Sequence, residues 1–146
     1  MTRRAFMEHH WMYEFVAPYG EYVCVYCGES ADSRDHAPSL ASLHRIMDTV
    51  PSSEWPRCHL YPSCRECNML LNDCADHTMV NRRGVAHKRL RKRHKRLLEM
   101  PNWEPEELSD LSPRLRESVE ASLRQRERLR ERLRFPMYAV LSRRTA

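Results

Sequence analysis

Two cysteine pairs, Cys24-Val25-Tyr26-Cys27 and Cys64-Arg65-Glu66-Cys67, constrain this chain more than any other feature. A CxxC turn puts two sulfurs on one side of a tight backbone bend, and two such turns supply the four soft ligands of a tetrahedral zinc ion. The pairs are separated by 36 residues. The first lies in a segment of strand formers (Tyr22, Val23, Val25, Tyr26) that is expected to be extended and to close in a turn at Gly28. The second is expected to open a helix from Arg65 to about Asp73. A knuckle pair followed by a helix-borne pair is the arrangement of a treble clef. With all four positions taken by sulfur the ion cannot activate water, so Zn²⁺ bound by Cys24, Cys27, Cys64 and Cys67 is expected to be structural, and any chemistry needs another centre.

Two cysteines remain, Cys58 and Cys74. With His59 and His77 they could form a second zinc site, but free cysteines are more commonly small core residues, and that is the reading adopted. Six cysteines behind an N-terminus that lacks the uninterrupted apolar stretch of a secretory signal (Glu8, His9 and His10 break it) point to a reducing, cytoplasmic location and to metal ligation rather than disulfides. No apolar run approaches the ~18 residues that a membrane span needs.

The net charge of +5 conceals a division along the chain. Residues 1–77 hold six Lys/Arg against eleven Asp/Glu, residues 78–100 hold nine against one, and residues 101–146 hold ten against eight. The expected organisation follows these steps: a zinc-stabilised core over 1–77, a basic helix over 78–100, and a linker with a charged amphipathic helix over 101–146. Thr78 caps the basic helix, which is expected to run to about Met100 before Pro101. Ser39 to Asp48 reads as a short amphipathic helix, and Ser112-Pro113 starts the last helix, which Pro136 stops. Leu115, Val119, Leu123, Leu129 and Leu133 give that helix one apolar side, for packing on its own domain or, less commonly, for a homodimer seam. The fold class expected is α+β: a small treble-clef core with a mainly helical C-terminal extension.

Arg82, Arg83, Lys88, Arg89, Arg91, Lys92, Arg93, Lys95 and Arg96 form the basic block, and a polyanion is its natural partner. The alternative is a solvated helix face. Cationic residues of this kind supply affinity for phosphates without reading a base sequence.

Between the clamps lies Ser33-Arg34-Asp35-His36-Ala37-Pro38. An adjacent carboxylate and imidazole can divide a phosphodiester cleavage, the carboxylate taking a hard divalent cation and the imidazole accepting a proton from water. Asn68, directly after the last zinc cysteine, can complete the ion's ligands. Taken singly, such a dipeptide or such an asparagine is more often structural, Asn68 as a helix cap; their placement relative to two CxxC pairs changes that balance.

The segments CVYCG, RDHAPSL and HLYPSCRECN together resemble the HNH endonuclease superfamily in its four-cysteine ββα-metal form, similar to recombination endonuclease VII-like nucleases of phages. The resemblance covers about residues 22–73. It implies that His36 is the general base, that Asp35 and Asn68 hold a catalytic Mg²⁺ or Mn²⁺, that the zinc is structural, and that the products carry a 5′-phosphate and a 3′-hydroxyl. One position departs from the pattern: His59 stands nine positions before Asn68, where the family carries an asparagine that braces the hairpin. Histidine can donate such a bond too, so His59 is expected to brace the hairpin or to contact phosphate. The expected function is a metal-dependent DNA endonuclease acting on double-stranded or branched DNA. The alternatives are a zinc-stabilised nucleic-acid-binding protein without cleavage and an assembly protein that associates through its last helix.

Overall fold

The computed structural model describes residues 9–137. Its centre is a hairpin of β2 (Ser33–Ala37) and β3 (Cys58–Ser63), antiparallel, with β1 (Tyr13–Phe15) added in parallel on the other side of β3. The register pairs Asp35 with Tyr61, His36 with Leu60 and Ala37 with His59. Because side chains alternate along a strand, the register sends Asp35, Ala37 and Tyr61 to one face of the sheet and His36 and Leu60 to the other. Each face covers its own core. One cluster holds Tyr26, Ala37, Tyr61, Leu71, Ala86 and Leu90 together with the clamp cysteines, and the other holds Tyr13, Leu40, Leu43, Cys58 and Leu60. The fold is α+β, as the sequence led us to expect.

Helix α1 (Leu40–Thr49) closes the second core, with Leu40 and Leu43 buried and Met47 packed one turn further on. Its first turn is capped by Ser39, whose hydroxyl accepts from the Ser42 amide at 3.3 Å. Helix α2 (Arg65–Leu70) is shorter than expected, and Cys64 is itself the cap, its sulfur accepting from the Cys67 amide at 3.4 Å. One residue thus serves both the metal clamp and the helix start.

Two expectations about local structure are corrected. Residues 21–28 do not form a strand; among the described residues they make one bridge, Val23 with Ser30, and a lone backbone bond to β3 in which Val25 N–H donates to Pro62 O at 3.1 Å. The chain has to reverse here to bring Cys24 and Cys27 to one side, and it does so with Gly28 N–H donating to Cys24 O at 2.9 Å and Gly28 at φ 76°. Tertiary geometry overrides the strand preference of Tyr22, Val23 and Val25. The basic helix does not run on to Met100 either: α3 (Met79–Arg93) stops at His94, and a short α4 (Lys95–Leu98) follows. His94 leaves helical geometry while its Nε2 sits 2.6 Å from Glu66 Oε1 on α2, so the break occurs where a side chain is tied across to a neighbouring helix.

Helix α3 is also part of the core. Ala86 and Leu90 pack in the same cluster as Cys24, Cys27 and Cys67, and Arg82 reaches through to Asp35 on β2. After α5 (Pro105–Ser109), opened by a Glu104/Glu107 capping box, α6 (Pro113–Arg134) returns to the start of the fold. Leu129 is buried and Leu133 packs on the clamp cluster, while Leu115 is exposed, so the C-terminal half of the leucine stripe packs on its own chain. No helix among the described residues is long and apolar enough to cross a membrane.

Arg82 and Asp35 form an ion pair with the guanidinium wholly buried, and removing one partner strands the other. Arg82→Met is expected to lose about 3–5 kcal/mol of stability in urea unfolding of the metal-loaded protein, with Arg82→Met/Asp35→Leu recovering much of the loss. A single variant as stable as the parent would show that the pair is not a structural tie.

Candidate metal centre and catalytic cavity

The knuckle and the start of α2 bring Cys24, Cys27, Cys64 and Cys67 together, all four sulfurs within 4.8 Å of one another. Cys27 and Cys64 Sγ are 3.7 Å apart. A tetrahedron with Zn–S bonds of ~2.3 Å has edges of about 3.8 Å, so this spacing fits zinc. Cys24 and Cys67 are fully buried, which suits a closed structural site. Cys58 and Cys74 do not join in. Cys58 lies in the opposite core with its thiol toward Pro56 O, Cys74 packs in the clamp cluster, and His77 is exposed.

The hairpin and α2 meet along the free edge of β2, where the Asn68 side chain donates from Nδ2 to Arg34 O at 3.2 Å. Beside that bond is a cavity of about 540 Å³ lined by Arg34, Asp35, His36, Ser39 and Asn68, among others. Three residues expected to act together, Asp35, His36 and Asn68, therefore face one space. Their surroundings differ. The His36 ring sits edge-on to Tyr13 at 4.8 Å, and its Nε2 is 3.5 Å from His10 Nδ1. Burial, with His10 and Arg82 nearby, lowers its pKa to about 4, so the ring is neutral at pH 7 and able to accept a proton.

Asp35 is far more constrained than the sequence suggested. Arg82 Nε donates to Oδ2 and Nη2 to Oδ1, both at 2.9 Å, and the Tyr26 hydroxyl donates to Oδ2 at 2.5 Å. Burial raises the Asp35 carboxyl, while Arg82 and Tyr26 pull it down. With donors on both oxygens the arrangement holds the carboxylate form. A carboxylate has about four acceptor positions, and three are used here, leaving one on Oδ1. The donor set of that position and the Asn68 side-chain oxygen is hard and suits Mg²⁺ or Mn²⁺, and ligating carboxylates are commonly steadied by hydrogen bonds in this way. Arg82, however, already cancels the charge that would draw a cation.

His59 is not among the residues lining this cavity. Its ring stacks on Tyr61 at 5.5 Å, and its Nδ1 is buried without a hydrogen-bond partner among the described residues. The bracing bond expected from His59 is thus not made by that nitrogen, and the hairpin is held at this level by the β-ladder pairing of His59 with Ala37.

The nine basic residues separate into two groups. Arg82 and Arg83 are corrected from nucleic-acid contacts to structural ties: Arg82 as above, and Arg83 through bonds to Val25 O at 3.0 and 2.7 Å and to the Tyr19 hydroxyl at 3.1 Å. Arg89 pairs with Asp73 and bonds Leu70 O, and Arg93 pairs with Glu66 at 3.3 Å. Lys88, Arg91, Lys92, Lys95 and Arg96 are exposed. Sequence reasoning missed Tyr26, His10 and the inward turn of Arg82; no local pattern distinguishes Arg82 from its basic neighbours.

No family model, curated protein or solved structure matches the chain. The site stands on its own geometry.

If the cage holds one zinc, Cys67→Ser is expected to abolish stoichiometric metal in the purified protein, whereas Cys58→Ala and Cys74→Ala keep about one zinc per chain. Elemental analysis after gel filtration checks this, and metal retained by Cys67→Ser would rule out the cage as drawn.

Proposed function

We propose that the chain is an HNH-type DNA endonuclease that hydrolyses phosphodiester bonds at the cavity beside β2. The observation that carries this reading is the meeting of Asp35-His36 and Asn68 in one cavity, on a hairpin and helix whose roots are the two cysteine clamps. His36, neutral at pH 7, takes the proton from the attacking water. Asn68 and the remaining acceptor position of Asp35 would hold Mg²⁺ or Mn²⁺, which when bound supplies stabilisation of charge on the phosphate and its leaving oxygen. Because Arg82 offsets the charge of Asp35, these residues alone would hold such an ion only weakly. Asn68 also ties α2 to Arg34, so it keeps the edge of β2 at a fixed distance from the helix.

DNA is gripped by the exposed cations of α3 and α4. Lys88 and Arg91, and Lys88 and Lys92, fall three and four residues apart, a spacing that puts these three on one side of α3, with Lys95 following on α4; they are exposed, whereas Arg82 and Arg83 are turned inward. Bonds of this kind go to phosphates and carry no base sequence.

A second reading, binding without cleavage, draws on the Asp35–Arg82 pair: a carboxylate already neutralised by arginine serves structure first. The two readings separate on supercoiled plasmid with Mg²⁺ or Mn²⁺. The parent is expected to nick, and His36→Ala to cut about 10²–10⁴-fold more slowly. Retarded migration on a gel with no nicking by the parent would select the binding reading. For the grip, Lys88→Gln/Lys92→Gln/Lys95→Gln is expected to lower the salt slope of duplex binding by about 0.9 for each phosphate the variant no longer neutralises. An unchanged slope would place the DNA elsewhere.

A further inference from the structure

Helix α6 comes from the far end of the sequence and seats on the cysteine cage. Arg128 pairs with Glu29, Nη2 to Oε2 at 2.5 Å, and the Glu29 carbonyl in turn accepts the Cys24 amide at 2.8 Å. Phe135 lies against Gly28 so closely that a Cβ there would fall 2.6 Å from its ring. Between these two points Arg132 points at the sulfurs: Nη1 pairs with Glu66 Oε2 at 2.7 Å, and Nη2 is 3.9 Å from Cys64 Sγ. Its Nε is buried and has no hydrogen-bond partner among the described residues. One neighbouring carboxylate and an unsatisfied buried N–H do not account for placing a guanidinium at this depth.

A zinc ion with four thiolates carries two negative charges and fixes all four sulfurs at one place beside Arg132. We propose that Arg132 is the counter-cation of the zinc–tetrathiolate centre, so that zinc occupancy and the docking of helix α6 stabilise each other. The loaded centre offers Arg132 a net anion whose four sulfur acceptors the ion holds together, whereas in the empty one no ion holds them. That difference is the differential interaction a ligand needs in order to shift an equilibrium. Coupling of this kind is reciprocal: the factor by which Arg132 raises zinc affinity is the factor by which zinc favours the docked helix. The inference rests on the cage alone and stands or falls independently of the nuclease reading.

The test uses the full chain loaded with Zn²⁺. Arg132→Gln removes the charge and keeps a polar side chain; Arg132→Lys keeps the charge without the fork; Arg124→Gln, at an exposed position of the same helix, is the control. Competition with a chromogenic zinc chelator is expected to show about 10- to 100-fold weaker zinc binding for Arg132→Gln, a smaller loss for Arg132→Lys and parental affinity for Arg124→Gln. Hydrogen exchange on the zinc-loaded proteins supplies the second readout. In Arg132→Gln the amides of residues 126–134 are expected to lose protection while those of β3 and α3 keep it. Parental zinc affinity in a folded Arg132→Gln protein would overturn the proposal, as would loss of protection across β3 and α3 to the same extent as in α6, which would mark Arg132 as a general packing residue.

Discussion

The gathering of four sulfurs is the constraint on which the remaining structure depends. It joins the loop before β2 to the residue that caps α2, and those two points fix the ends of the hairpin between them. A three-stranded sheet with strands of three, five and six residues has little surface to bury on either face. Small cores of this kind gain much of their stability from a metal staple. The cost of the staple is visible in the knuckle, where residues with strong strand preference give up pairing to make a tight reversal. Cys64 shows how closely cage and helix are joined, since its sulfur faces the cage and also accepts the Cys67 amide.

A second tie, buried and ionic, joins the sheet to α3. Asp35, Arg82 and Tyr26 satisfy one another, and Arg82 also bonds the carbonyls of Cys74 and Asp76, at 2.9 and 2.7 Å. A buried charge pair contributes less than its Coulomb energy suggests, because both ions leave water, and extra hydrogen bonds of this kind offset part of that cost. The carboxylate that lines the cavity is therefore also a structural tie. Its orientation is set by Arg82 and Tyr26, and it still lines the cavity. His36, the next residue on the strand, lies on the opposite sheet face among His10 and Tyr13. Adjacent residues of one strand thus occupy different chemical environments, an anion braced by cationic and phenolic donors and a half-buried neutral imidazole among aromatic rings.

What the sequence disclosed and what it withheld follow from the range of the interactions involved. The CxxC pairs, the short amphipathic helix read from Ser39 to Asp48 and the Ser112-Pro113 helix start are local patterns, and each appears within a residue of where it was expected. The juxtaposition of Asp35, His36 and Asn68 was legible because their spacing from the cysteines carried it, and the pairing of β2 with β3 brings all three to one cavity. The inward turn of Arg82 was not legible. In a run of nine cations no local feature marks the one whose partner lies 47 residues away. The break at His94 has the same origin, since Glu66 on another helix holds its ring. A bracing role for His59 rests on its position in the chain alone, whereas strand alternation sends its side chain to the face that carries Tyr61.

The charge division along the chain acquires its meaning only after folding. Acidic residues of the first half and basic residues of the second meet across the structure: Asp35 with Arg82, Asp73 with Arg89, Glu66 with Arg93 and Arg132, Glu29 with Arg128. Much of the apparent basic block holds the helices against the cage. Of the exposed cations outside those pairs, Lys88, Arg91 and Lys92 lie on α3 and Arg96 on α4, where Lys95 pairs with Glu99 at 3.7 Å. Subtracting the internal pairs leaves Lys88, Arg91 and Lys92 exposed on the helix that carries Arg82 inward. One helix therefore braces β2 on its buried side through Arg82 and Asp35 and presents positive charge on the other.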